Sequence, residues 1–142
     1  MMKEKQSYRS PSLTVDGILV ENYKILLIKR KKEPWKGYYA LPGGFVEYGE
    51  TCESAIVREF KEETGLDVRV KALFGVYSDP ARDPRGHIIT IVYILERVAG
   101  ELRAGDDAEE LRFFELNKIP QLAADHNRII EDYSRQTRGE SG

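Results

Sequence analysis

Apolar positions along the chain fall into several dense runs and one helical arc. Leu13 to Val20 and Lys24 to Arg30 read as strands, with Glu21-Asn22-Tyr23 as the turn of a hairpin between them. Tyr38 to Leu41 is a short strand ended by Pro42-Gly43-Gly44, and Phe45 to Glu50 is a loop. From Cys52 to Thr64 the period changes to that of a helix, with Ile56, Val57 and Phe60 forming an apolar arc. Thr51 suits the N-cap, Glu53 suits the positive end of the dipole, and Gly65 suits the left-handed position after the last turn. Strands are expected again at Val68–Tyr77, His87–Leu95 and Leu111–Leu116. A loop over Ser78–Gly86 and a polar connection over Gly100–Glu110 separate them. Asp125 to Tyr133 reads as a short terminal helix. This order implies a mixed sheet covered by helices on both faces.

The chain of 142 residues suits one domain, with an ordered core over about residues 10–135 and frayed polar ends at 1–7 and 136–142. A net charge of −2 gives no basic field for nucleic acid, and no apolar run is long enough for a membrane span. The N-terminus lacks an apolar signal core, and Cys52 is the single cysteine. No intrachain disulfide can form, and the expected setting is reducing and cytoplasmic.

The helix carries a second pattern beside its apolar arc. Glu59, Glu62 and Glu63 share one stripe, and like charges at that spacing repel by roughly 0.2–0.5 kcal/mol per pair. An acidic helical stripe is usually a solvated face, and Pro-Gly-Gly is usually just a turn. Here both fall in one register with Glu50, Arg58 and the Gly65-Leu66 end. Three carboxylates supply the hard oxygens a magnesium ion needs, and Gly43 and Gly44 let backbone come close to metal and phosphate. Glu50 is a fourth acid or a partner for Arg58. The reaction suited to such a site is attack of water on a pyrophosphate.

The run Gly44 to Leu66 matches, at every fixed position, the pattern G-x5-E-x7-R-E-U-x-E-E-x-G-U, where U is bulky and apolar. The chain therefore resembles the Nudix family. That resemblance implies a Nudix fold, an α/β/α sandwich around a central mixed β-sheet. It also implies divalent-metal hydrolysis of a nucleoside diphosphate linked to a further group. Glu59, Glu62 and Glu63, often with the Gly43 carbonyl, would ligate Mg²⁺, or Mn²⁺ in its place. Arg58 and Glu50 would orient the acids. The base would be a box glutamate such as Glu62 or a later loop glutamate, for which Glu109 and Glu110 are candidates. Family members of this size often form homodimers, and the sequence holds no signal that settles this.

The loop from Tyr77 to His87 resembles one in the ADP-ribose pyrophosphatase branch, as does Leu122 to His126. Arg82 and Arg85 can clamp a phosphate or ribose, or pair with Asp79 and Asp83 instead. Tyr77 or Trp35 can stack on adenine, or simply end a strand and anchor a loop. Gly44 allows substrate backbone contact. His87 and His126 read as structural and Cys52 as packing. The expected reaction is ADP-ribose to AMP and ribose 5-phosphate. The alternatives are a damaged nucleoside triphosphate, a dinucleoside polyphosphate or NADH as the small-molecule substrate, or a non-catalytic nucleotide-sensing domain.

Overall fold

The structure is a computed structural model that describes residues 9–141. Its elements are β1 (Ser12–Glu21), β2 (Lys24–Arg30), β3 (Tyr39–Ala40), β4 (Gly43–Phe45), α1 (Cys52–Thr64), β5 (Leu66–Tyr77), β6 (Ile88–Gly100), β7 (Ala108–Glu115) and α2 (His126–Ser141). Strand order is β3-β2-β1-β6-β5, with β4 on β1 and β7 on β2. Among the described strand pairs, β1 and β6 run parallel and the others antiparallel. The expected mixed sheet between two helical layers is present.

β1 and β2 are joined through Asn22 and Tyr23, both at positive φ (52° and 65°). That is the two-residue turn whose twist matches a hairpin. β1, β2 and β6 are apolar almost throughout because the sheet is covered on both sides. Val15, Leu19 and Leu26 pack with Ile56 and Phe60 of α1. Ile18, Ile25 and Leu27 pack with Ile129 and Ile130 of α2.

β1 matters most for the site. One of its edges pairs first with β4, Thr14–Asp16 against Phe45–Gly43, and then with β2 at Val20 and Glu21. That divided edge brings the Gly43-Gly44 segment against the middle of the sheet.

Several boundaries differ from the sequence reading. β6 extends to Gly100 because its polar end pairs with β5, where Arg69 bonds Glu96 opposite it across 2.6 Å. β7 begins at Ala108, so Glu109 and Glu110 lie in a strand and not in a loop. Residues 136–141, expected to fray, belong to α2. Polarity alone does not end a helix, and no proline interrupts this one. The expected fraying of residues 1–7 lies outside the described residues.

Candidate active site

α1 is held at both ends by local signals. Thr51 Oγ1 accepts from Ser54 N at 3.1 Å, and Gly65, at φ 79°, returns its N–H to the Lys61 carbonyl. The turn after β6 adds further caps: Arg103 N donates to the Thr64 carbonyl (2.8 Å) and Gly105 N to the Glu63 carbonyl (3.1 Å). With Ile56 and Phe60 fully buried, the acidic stripe must face the Gly43-Gly44 segment.

There the side chains interlock. Glu63 Oε1 accepts from Gly43 N at 2.7 Å. Burial pushes its carboxyl up to about 8 against the opposing effect of that hydrogen bond, and Glu59 and Asp16 push the same way. A Cβ on Gly44 would lie 1.9 Å from Glu59 Oε2, so only glycine leaves room for this carboxylate. Burial also raises the Glu59 carboxyl, and Arg58 opposes the shift.

Arg58 organises the acids from behind. Its Nε and Nη2 donate to Glu50 (3.0 and 2.6 Å), and Nη1 donates to Glu59 (2.7 Å) and to Glu62 (3.0 Å). Nη2 also reaches the Phe45 carbonyl at 3.1 Å. Glu50 additionally accepts from Glu47 N. The Arg58 fork, with that backbone bond, holds the Glu50 carboxyl down at about 2, and Glu50 in turn raises the Arg58 guanidinium further above its usual range. Of Glu50's two readings, the structure realises the partner of Arg58.

A cavity of about 990 Å³ opens beside the cluster, lined by Gly43, Gly44, Glu59, Glu62 and Glu63 and by residues from β1, β2 and the loop before β6. This volume suits a nucleotide-sized ligand. Its inner wall is polar. Asp16 is 7 % exposed, and burial pushes its carboxyl up to about 7, with Arg82 pulling the other way. His126 Nδ1 accepts from Leu41 N at 3.0 Å, and Nε2 lies 3.5 Å from Asp16. Burial lowers this imidazole to about 4, so it is neutral near pH 7.

Arg82 and Arg85 both line the cavity but differ in what they have left to offer. The Arg82 side chain is 4 % exposed; Nε and Nη2 take both oxygens of Asp125 (2.8 and 2.6 Å), and Nη1 takes Thr90 Oγ1 (2.8 Å). Its partner is Asp125, not Asp79. Arg85 pairs with Asp83 as the sequence allowed and lies over the Phe45 ring at 5.5 Å.

Glu50 and Arg58 stand behind the cavity wall, and Tyr77 and Glu110, also expected at the site, do not line it either. Tyr77 donates its hydroxyl to Asp132 of α2 at 2.8 Å and packs on the α2-side core. It is not among the residues that line the cavity. Glu110 pairs opposite Lys29 in β7 and accepts from the Tyr39 hydroxyl, so it is neither on a loop nor poised toward the acids. Conversely, Asp16, Arg30 and His126 line the cavity, and sequence reasoning did not assign them to it. The available signal was an acid inside the otherwise apolar run of β1. Trp35 also lines the cavity, with its Nε1 buried and without an acceptor among the described residues.

The donor set fits a hard divalent cation: oxygen ligands only, with two carboxyls, Glu59 and Glu63, whose ionisation burial disfavours until positive charge arrives. As they stand, no three acid, His or Cys side chains among the described residues converge closely enough to hold an ion. Arg58 Nη1 engages both Glu59 and Glu62, so to hold an ion their carboxylates would have to turn from the guanidinium.

A NUDIX domain model matches residues 11–133. An ADP-ribose pyrophosphatase of Methanocaldococcus jannaschii is 60 % identical over 138 residues, covering 97 % of this chain and 82 % of its own length. A putative 8-oxo-dGTP diphosphatase of Bacillus subtilis is 44 % identical over 82 % of this chain and 74 % of its own length. Among solved structures, a bifunctional NMN adenylyltransferase/ADP ribose pyrophosphatase of Francisella tularensis, complexed with AMP and Mn ion, superposes with a TM-score of 0.81 at 30 % identity. That match covers 94 % of this chain and 44 % of the other. With the glycine turn, the acid stripe and its arginine in one register, these likenesses lead to one conclusion: the chain belongs to the Nudix family.

Proposed function

We propose that this protein hydrolyses the diphosphate of ADP-ribose to AMP and ribose 5-phosphate. The observation that carries the substrate is the 60 % identity to an ADP-ribose pyrophosphatase over nearly the whole chain. The network of Arg58 with Glu50, Glu59 and Glu62, and Glu63 tied to Gly43 beside a nucleotide-sized cavity, support the chemistry.

Glu59, Glu62 and Glu63, with the Gly43 carbonyl, are the residues to hold Mg²⁺, or Mn²⁺ in its place. When bound, such an ion withdraws charge from a phosphoryl group and acidifies water. The remaining work falls to the chain. Arg58, braced by Glu50, sets the approach of Glu59 and Glu62. Glu62, whose side chain is 55 % exposed and bonded to Arg58 alone among the described residues, would use the carboxylate oxygen left free by the ion to take the proton of the attacking water. The water oxygen bonds to phosphorus and the bridging P–O bond breaks. Arg85 and the bare backbone of Gly44 receive the diphosphate. No described helix is long and apolar enough to cross a membrane. With one cysteine, the setting that suits this reading is the cytoplasm.

Incubation with ADP-ribose and Mg²⁺ should release AMP and ribose 5-phosphate, followed by product chromatography. The 44 % identity to a putative 8-oxo-dGTP diphosphatase favours one competing reading, a damaged triphosphate. Much faster turnover of 8-oxo-dGTP than of ADP-ribose would replace the substrate assignment with that one.

A further inference from the structure

Arg30 is the last residue of β2, where the register with β7 shifts between Lys29 and Arg30. Such an irregularity re-aims the side chain that follows it. The Arg30 backbone is fixed on both sides: its N–H donates to the Tyr38 carbonyl and its carbonyl accepts from Gly37, each at 2.8 Å. The side-chain Nε donates to the Pro34 carbonyl, also at 2.8 Å. One edge of the guanidinium is thus tied to the loop at 31–38. Neither Nη1 nor Nη2 has a hydrogen-bond acceptor among the described residues, and the side chain lines the cavity.

Arg82, with all three of its nitrogens engaged and its side chain almost sealed, has little to offer a ligand. Arg85 spends Nε and Nη2 on Asp83, and Nη1 has no acceptor among the described residues. Unengaged guanidinium nitrogens among the cavity-lining arginines therefore belong to Arg30 and Arg85, and to Arg103 on the turn after β6, and of these Arg30 and Arg85 act on each other. The Arg30 guanidinium is lowered from its usual range by burial first and by Arg85 next, with Glu63 and Asp83 offsetting part of this. Two like charges with unused donors in one cavity are relieved by an anion, and a forked guanidinium matches phosphate oxygens.

We propose that Arg30 is the second arm of a clamp on the diphosphate, closing with Arg85 on its non-bridging oxygens, while Arg82 only braces the wall. The proposal rests on the reading of the substrate as a nucleoside diphosphate derivative. It gives Arg30 a role in binding that neither the glycine turn nor the acid cluster fills.

The test is calorimetric titration of the whole protein with α,β-methylene ADP-ribose, without divalent metal, comparing the native chain with Arg30→Gln and Arg82→Gln. Charge-assisted hydrogen bonds predict a loss of about 10- to 100-fold in affinity for Arg30→Gln. Its affinity should also fall less steeply with added salt than that of the native chain. Arg82→Gln should mainly lower the melting temperature. If Arg30→Gln has no thermal transition, Arg30→Lys carries the test: it keeps the charge, drops the fork, and should lose at least about fivefold. Native-like affinity in a folded Arg30 variant overturns the clamp and leaves the proposed substrate standing. If the native protein ignores the ADP-ribose analogue but binds another methylene diphosphate through Arg30, the substrate falls and the clamp stands. Binding of no diphosphate at all overturns both.

Discussion

Glu63 Oε1 accepts a hydrogen bond from the backbone N–H of Gly43 across 2.7 Å, which ties the last turn of α1 to the start of β4. The bond needs an acceptor and not a charge. Glu63→Gln keeps an oxygen in place while removing a proposed ligand charge, so the fold should survive and hydrolysis should not. Charge stabilisation at a metal site is worth several kcal/mol, so the rate should fall by at least about 100-fold. Steady-state assays beside thermal melts separate the two effects. Full activity in the folded variant removes Glu63 from the site.

Gly44→Ala probes the neighbouring contact without touching a charge. The added methyl would start 1.9 Å from Glu59 Oε2, so the carboxylate must move. Gly44 is not among the glycines with positive φ, so alanine costs little in the backbone itself. A misplacement of this size predicts about a 100-fold loss of kcat with a melting temperature near native. Unchanged kcat would mean that Glu59 does its work from elsewhere.

How far the sequence carries depends on whether the cause is local. The caps of α1 were legible because Thr51 and Gly65 act on atoms a few residues away. The acid stripe and its arginine were legible for the same reason. What Tyr77, Glu110 and Arg82 touch was not, since their partners Asp132, Tyr39 and Asp125 lie 55, 71 and 43 residues away, and only the packed register decides them. Asp16 and Arg30 were hidden because a polar residue at a strand's middle or end reads the same whether it meets solvent or a cavity. The overrun of α2 past Tyr133 shows the converse: a polar helix without a stop signal continues.

The displaced assignments give their own prediction. Glu110 meets Tyr39 and not the acids, so Glu110→Gln should leave kcat and KM within about twofold of native, a small change on the free-energy scale. Tyr77→Phe loses the bond to Asp132 and should cost about 1 kcal/mol of stability with KM unchanged. Denaturant titration and initial rates on the two variants check both statements. A large drop in kcat for Glu110→Gln would restore it as a base.

The acid limb of stability should report His126. The imidazole is buried, accepts from Leu41 N, and faces Asp16, Asp125, Asp83, Arg82 and Arg30. It is lowered from 6.5 to about 4, so between those values the unfolded chain binds a proton there and the folded chain does not. Its contribution is therefore fully present above about 6.5 and is lost as pH falls toward about 4. Asp16, pushed up to about 7, and Glu63, pushed up to about 8, titrate in the opposite sense across that range, so the native curve alone mixes them with His126. His126→Gln separates them, because a side-chain oxygen can accept the Leu41 N–H without gaining a proton. The variant should lose less stability than the native chain between pH 6.5 and pH 4, measured by denaturant unfolding at matched salt. Parallel curves over that interval would show that His126 titrates in the folded state as it does in the open chain, and that its burial carries no proton linkage.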